Sequence, residues 1–399
     1  MQIGSVNGGA LFGSRVVITG VGAVSCCGVG AGALWAGLLE GTFTEDRTVP
    51  EFDASVWFGP KEVRRVDRFA QLSVAAAQES MDDAGELGVD PDRFGVIFGT
   101  GIGGMGTLMA QQRVLEERGA NRVTPFLAPM IMPNAAAAQI AMRFGARGPV
   151  EAVTTACAAG THSIGAAARL VASGRIDACI AGGGESVLEK ITYAGFGNMT
   201  ALSTQGFSRP FDVDRDGFVM SEGAGSLVLE RLDRALERGA TIYAEVLGAA
   251  STADAFHITA PREDGAGARR CMELALEDAG VDVSDVGSIN AHGTSTPLND
   301  LAESVAIRGL FGDAAPSVTS CKGATGHSLG AAGALEAVAS VRTIVSGIVP
   351  PTAGLLNIDP AIDLDVVIGE PRPLGSPIVL SNSFGFGGHN GSLVFGALA

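Results

Sequence analysis

Four side chains of types that perform nucleophilic and proton-handling chemistry stand out because each lies in a run of small residues. Cys157 follows Val153-Thr-Thr-Ala and precedes Ala158-Ala-Gly-Thr-His162. His292 lies in Asn290-Ala-His-Gly-Thr-Ser-Thr-Pro297, and Lys322 and His327 share Lys322-Gly-Ala-Thr-Gly-His327-Ser-Leu-Gly330. An apolar run leads into Cys157, and a helical pattern continues through Ile164–Ala172 to a stop at Gly174. The thiol is therefore expected at a strand-to-helix turn, where free N–H groups and the helix dipole stabilise a thiolate. Ala156, Ala158, Ala159 and Gly160 leave room for a substrate. Two readings fit a lone cysteine of this kind: an activated nucleophile awaiting a partner base, or a buried inert thiol. Cys26, Cys27, Cys179 and Cys271 fit the second, and His162, His257 and His389 read as structural histidines. A further aromatic, glycine-rich loop, Ser381-Asn-Ser-Phe384-Gly-Phe386-Gly-Gly-His389-Asn390, lies near the C-terminal end.

The elements that must position these groups alternate. Strands are predicted over Arg15–Gly20, Phe94–Gly99, Val150–Thr155, Asp177–Gly182, Ser226–Leu232, Thr241–Ala249, Val286–Ala291, Pro316–Ser320, Ile378–Leu380 and Ser392–Phe395. Helices are predicted over Ala70–Gly85, Ala158–Ser173, Ala266–Ala279, Leu301–Phe311 and Ala331–Ser346. Alternation of this kind predicts an α/β protein with strands covered on both faces. The chain divides near residue 240, after Leu232–Arg238, and each half repeats a strand, a small-residue loop and a helix. Two related halves, 1–240 and 241–399, are expected to close on one site, because α/β folds carry chemistry in loops at strand ends.

Composition narrows the function classes. The 399 residues include 57 Gly but only 6% aromatics, so packing must rely on small side chains and close backbone approach. A net charge of −16 repels phosphate backbones and argues against a nucleic-acid partner. Six cysteines without a C-x-x-C pair fit free thiols in a reducing cytoplasm. Residues 16–39 are uncharged, yet six glycines make a buried strand, a turn and an amphipathic helix a better account than a membrane span. The first thirteen residues read as a loose tail.

Three motif matches are discounted. Gly99-Thr-Gly-Ile-Gly-Gly104 fits a dinucleotide fingerprint but lacks a convincing ribose acid, Glu116 and Glu117 being poor ones. Asp212-Val-Asp-Arg-Asp-Gly217 starts like a calcium loop, but position twelve is Gly223 rather than Glu. No histidine has zinc-ligand spacing, and no metal is expected.

Taken jointly, these segments resemble the β-ketoacyl-acyl-carrier-protein synthases of the thiolase superfamily, of the elongating type I/II. The matching stretches run nearly end to end: Val17-Ile-Thr-Gly-Val-Gly22, Gly99–Gly104, Thr154-Thr-Ala-Cys157, Arg209-Pro-Phe-Asp212, Ala291-His-Gly-Thr-Ser-Thr-Pro297, Gly326-His327 and Asn382-Ser-Phe-Gly-Phe-Gly-Gly388. Asp254-Ala-Phe-His257 and Gly387-Gly-His-Asn390 resemble actinobacterial members. The resemblance implies a thiolase-like fold, two βα halves in an α-β-α-β-α layering. It implies that Cys157 accepts an acyl group from a carrier-protein phosphopantetheine thioester, with the backbone N–H groups of Cys157 and Phe386 as oxyanion hole. His292 and His327 would bind the malonyl thioester carbonyl during decarboxylation, with Lys322 supplying positive potential and Glu336 supporting it. Phe384 and Phe386 match the gating loop, and Ile102 and Phe196 the acyl pocket. No cofactor is implied beyond the carrier-borne arm.

A second reactive cysteine, expected of a degradative thiolase, is missing from Phe384–Asn390, and His327 stands where starter synthases carry Asn. Carrier docking is expected at Lys61, Arg64, Arg65 and Arg122. Lys61, Arg64, Arg65 and Arg68 have i, i+3, i+4, i+7 spacing, which predicts one positive helical face, whether for docking or simply solvated. After Leu202-Ser-Thr204 the family's Arg is replaced by Gln205 and a shorter loop. Three functions stay open: a fatty-acyl ketosynthase, a polyketide ketosynthase working with a chain-length-factor-like partner, and a non-catalytic acyl-binding subunit. A homodimer is expected by resemblance, with a heterodimer as the alternative.

Overall fold

The computed structural model describes residues 13–41 and 47–399. The segment read as a loose tail lies outside them up to residue 12. The strands are β1 (Val16–Ser25), β2 (Gly28–Val29), β3 (Phe94–Gly99), β4 (Val150–Glu151), β5 (Ala178–Glu185), β6 (Gly223–Arg231), β7 (Ala244–Ala253), β8 (Ser288–Asn290), β9 (Ser317–Thr319), β10 (Ile348–Val349), β11 (Arg372–Pro373), β12 (Ile378–Gly385) and β13 (His389–Gly396). Ten of them run in the order β4-β3-β5-β6-β1-β7-β13-β12-β8-β9. Read inward from either edge, the pattern is the same. β4, β3 and β5 are parallel and β5, β6 and β1 antiparallel. Likewise β9, β8 and β12 are parallel and β12, β13 and β7 antiparallel. β1 and β7 join the two sets.

Helices make five layers of this sheet. Helix Arg68–Ala84 covers β1, β6 and β5 from outside, and helix Ala266–Ala279 covers β7 and β13 on the far side. Helices Ala159–Ala172 and Ala332–Ser346 lie between, touching β5 and β6 on one face and β13 and β7 on the other. The segment Leu329–Ser346 is long and apolar enough to cross a membrane, but it is buried in this central layer. Residues 16–39 form the fully buried β1, a turn and helix Ala31–Glu40.

Glycine explains how so few aromatics suffice. A Cβ on Gly20 would lie 2.0 Å from the Ser80 carbonyl oxygen, and one on Gly22 would lie 2.1 Å from that of Ala76. The sheet thus meets helix Arg68–Ala84 backbone to backbone, which increases dispersion contact per residue.

Two expectations need correction. Lys61, Arg64, Arg65 and Arg68 do not share one helical face. Residues Val63–Arg65 are a single 3-10 turn, Val66 is extended, and the Asp67 side chain caps a new helix by accepting from the Phe69 N–H. Arg68 is spent on a salt bridge to buried Glu222 at 2.6 Å. Predicted strand Val150–Thr155 is paired only at Val150–Glu151. Helix Met105–Arg118 was not foreseen, and it buries none of its residues, so no apolar stripe marked it.

Candidate active site

Cys157 sits in a 3-10 turn, Ala156–Ala158, that feeds helix Ala159–Ala172. Ala156 has φ +50°, a left-handed conformation costly for a residue with a Cβ. This turn aims the sulfur into a cavity of about 290 Å³. Gly385 is the closest support: a Cβ there would lie 2.8 Å from the Thr155 carbonyl oxygen. Only glycine therefore lets the loop bearing Phe384 and Phe386 lie against the turn. Burial pushes the Cys157 thiol up to about 11. The Lys322 ammonium and the backbone N–H groups of Phe386 and Cys157 act against that rise, and Glu185 adds to it.

The strand-end loops of the second half bring the other groups to the sulfur. His327 Nε2 lies 3.1 Å from Cys157 Sγ, and the His292 and His327 rings meet edge to face at 5.5 Å. Lys322 Nζ donates to the His292 carbonyl oxygen at 2.6 Å and to His292 Nδ1 at 3.2 Å. It also pairs with Glu336, and all three side chains are buried. Burial, followed by the Lys322 charge, lowers both histidines well below their usual pKa, so both rings are neutral at pH 7. Because His292 Nδ1 accepts from an ammonium, its proton resides on Nε2. Among the described residues His327 Nδ1 is buried without a partner, which an acceptor tolerates better than a donor, so its proton also belongs on Nε2. A sulfur and two imidazole N–H groups thus converge.

The remaining expected residues are placed as follows. Phe384 and Phe386 line the cavity, with Phe384 against His292 at 5.8 Å and Phe386 against Phe196 at 6.1 Å. Ile102 and Phe196 pack on the apolar cluster that contains Cys157. Lys61, Arg64, Arg65 and Arg122 are exposed, and Arg65 stacks on Phe126 at 4.4 Å, beside the Arg122 turn. His162 is satisfied by Thr155 Oγ1 and the Asn390 carbonyl. His257 lies in an exposed loop, where its Nδ1 accepts from Thr259 and Ala260 N–H groups.

Two carboxylates of the site went unrecognised in the sequence. Glu185 accepts from Thr100 Oγ1 at 2.8 Å, Gly101 N–H at 2.6 Å and Gly330 N–H at 3.2 Å. It clasps the Gly99–Gly104 loop to the segment just after His327. Glu303 accepts the N–H groups of His292 and Gly293, both at 2.8 Å, and burial pushes its pKa up to about 7. The available signal was acid on an apolar face: Asp300 and Glu303 precede Ala306 and Ile307 at helical spacing.

The residues of the discounted motifs also have partners. In the Gly99–Gly104 loop the N–H groups of Gly101, Ile102 and Gly103 point at Glu185, and those of Thr100 and Gly104 donate to the Val153 and Ile131 carbonyls. Asp212 holds the N–H groups of Leu356 and Asn357 rather than a cation, and Arg215 turns inward to Asp359 at 2.6 Å. Cys157, His292 and His327 place one donor atom each within 4.8 Å of one another, a metal-like cluster. The tautomer fixed by Lys322, however, turns an N–H rather than a lone pair from His292, which suits an oxyanion rather than a cation.

Residues 43–235 match the family model for the beta-ketoacyl synthase N-terminal domain, and residues 243–356 match that for its C-terminal domain. The chain is 46% identical to 3-oxoacyl-[acyl-carrier-protein] synthase 2 of Synechocystis sp., covering 96% of this chain and 97% of the other. It is 45% identical to the Staphylococcus aureus (strain COL) protein of the same name, covering 96% and 98%. Among solved structures, the ishigamide ketosynthase/chain length factor superposes with a TM-score of 0.91 at 36% identity, over 97% of this chain and 100% of that one. A beta-ketoacyl synthase from Burkholderia phymatum gives 0.89 at 34% identity, with the same coverage.

Proposed function

The chain belongs to the β-ketoacyl synthase family and is a ketosynthase, an acyltransferase, and from that premise we propose how its own residues carry the reaction. The observation that carries the proposal is the approach of His327 Nε2 to Cys157 Sγ at 3.1 Å beneath the Phe386 loop. Cys157 attacks an acyl thioester on a carrier-protein phosphopantetheine arm. The Cys157 and Phe386 N–H groups stabilise the tetrahedral oxyanion, the arm's thiol leaves with the thiol proton, and acyl-Cys157 remains. Malonyl-carrier protein then enters. The His292 and His327 N–H groups bind its thioester carbonyl, carbon dioxide departs, and the enolate carbon attacks acyl-Cys157. The product is a β-ketoacyl thioester two carbons longer, and Cys157 returns as a thiolate that takes up one proton. Lys322, neutralised by Glu336, orients His292 and fixes its tautomer.

The matching strand order supports a division of the chain near residue 240 into two related halves. The arm on the carrier protein supplies the prosthetic group, and the cytoplasm is the compartment. Lys61, Arg64, Arg65 and Arg122 form the carrier docking surface. A homodimer through the edge strand β4 fits the exposed Val150, Met142 and Ile191. A heterodimer with a chain-length-factor-like subunit is the second reading, favoured by likeness to the ishigamide complex. The first experiment compares malonyl-carrier-protein decarboxylation and condensation in the wild type and in Cys157→Ala. Condensation lost with decarboxylation kept supports the roles. A pure, folded wild type that does neither overturns them.

A further inference from the structure

We propose that Arg262 is the phosphate-binding residue of the channel, gripping the phosphodiester of the incoming carrier-borne arm; the inference rests on the ketosynthase reading above. The channel descends from an exposed rim, where Leu298 is 61% exposed, to Cys157, which is 6% exposed. Arg262 lines this channel and is the one Lys or Arg among the described residues that does. Its guanidinium is fixed from two sides. Asp264 accepts from Nε at 2.9 Å and Nη2 at 2.7 Å, and Phe256 lies under the group at 5.8 Å. Nη1 carries no hydrogen bond among the described residues, so one edge of the fork is left for a ligand.

The nearby acids are occupied. Asp254 accepts from Asn390 Nδ2 at 2.8 Å, and Glu303 holds the N–H groups of His292 and Gly293. An arm that delivers a thioester to Cys157 must leave its anionic end at the rim, where a pre-oriented guanidinium matches phosphate geometry better than a flexible ammonium does. The rest of the arm is neutral, so Arg262 discriminates between substrates with and without the phosphate.

The test uses the whole protein and needs no turnover. Iodoacetamide alkylation of Cys157 is followed while S-methyl phosphopantetheine or S-methyl pantetheine is titrated in. The wild type is expected to be protected at about tenfold lower concentration of the phosphorylated compound, as one charge-assisted contact predicts. Arg262→Ala should remove that preference and leave protection by S-methyl pantetheine unchanged, and Arg262→Lys should keep part of it. Steady-state KM for malonyl-phosphopantetheine should rise similarly in Arg262→Ala with kcat unchanged. Equal loss of protection by both compounds would make Arg262 a channel-shaping residue and overturn the proposal, as would a preference that survives Arg262→Ala. Lack of any condensation alongside a clear protection difference would sink the ketosynthase roles and leave the phosphate site standing.

Discussion

The two sides of the active site handle charge by different means. On the Cys157 side, the proposed donors to a developing oxyanion are backbone N–H groups, beside the strained Ala156 turn and the close fit of Gly385. On the histidine side they are side chains, held by the buried Lys322–Glu336 pair and by Glu303 beneath the His292 loop. Backbone donors survive side-chain substitution, whereas side-chain donors do not. The acylation half of the reaction should therefore tolerate changes that disable decarboxylation.

Substitutions can separate the two sides. Cys157→Ala has the largest expected effect: condensation falls below detection while malonyl decarboxylation persists, read by product formation and carbon dioxide release. Lys322→Ala comes next, because it strands the Glu336 carboxylate in a buried site. A loss of about 3–5 kcal/mol in urea unfolding is expected. Lys322→Met combined with Glu336→Leu should recover much of that stability without recovering decarboxylation. His327→Ala should cost about 10²- to 10³-fold in decarboxylation rate, the usual cost of one oxyanion donor, while Cys157 is still acylated by an acyl-carrier substrate. Acylation falling in parallel would erase the distinction between the two sides.

Glu303 sharpens the comparison through pH. Its pKa rises from 4.5 to about 7 in the fold, so the folded state binds more protons than the unfolded chain between those values. Stability from this group is fully present below about pH 4.5, falls as pH rises toward 7 and is level above it, a change of about 3 kcal/mol. Glu303→Gln should abolish that slope in denaturation measured across the window. The smallest effect is at the surface. Lys61→Glu with Arg64→Glu should raise KM for carrier-bound substrate several-fold at low salt and less at high salt. Arg68→Ala should instead lower stability with KM unchanged, since Arg68 faces Glu222.

Legibility in the sequence followed the range of the physics. Val153-Thr-Thr-Ala-Cys157 and the helical pattern after it marked a thiol at a turn, because apolar runs and small residues act locally. Residues Lys61 to Arg68 misled, because spacing cannot reveal that Val66 is extended and that Asp67 starts a new helix. Glu185 and Glu303 escaped notice for a different reason. Their partners, Gly330 for the first and the His292 backbone for the second, are defined only after the chain folds.

What the sequence by itself determined was the set of reactive residue types, the small-residue loops that hold them and the βα alternation, all written in short-range pattern. Only the tertiary structure decided that Cys157 and His327, 170 residues apart, meet at 3.1 Å. It also decided that both imidazoles are neutral, that Lys322 reaches His292 and Glu336, and that N–H groups of the glycine-rich loop meet Glu185. Protonation and tautomer depend on burial and on neighbouring charge, and neither exists until the two halves of the sheet enclose the site.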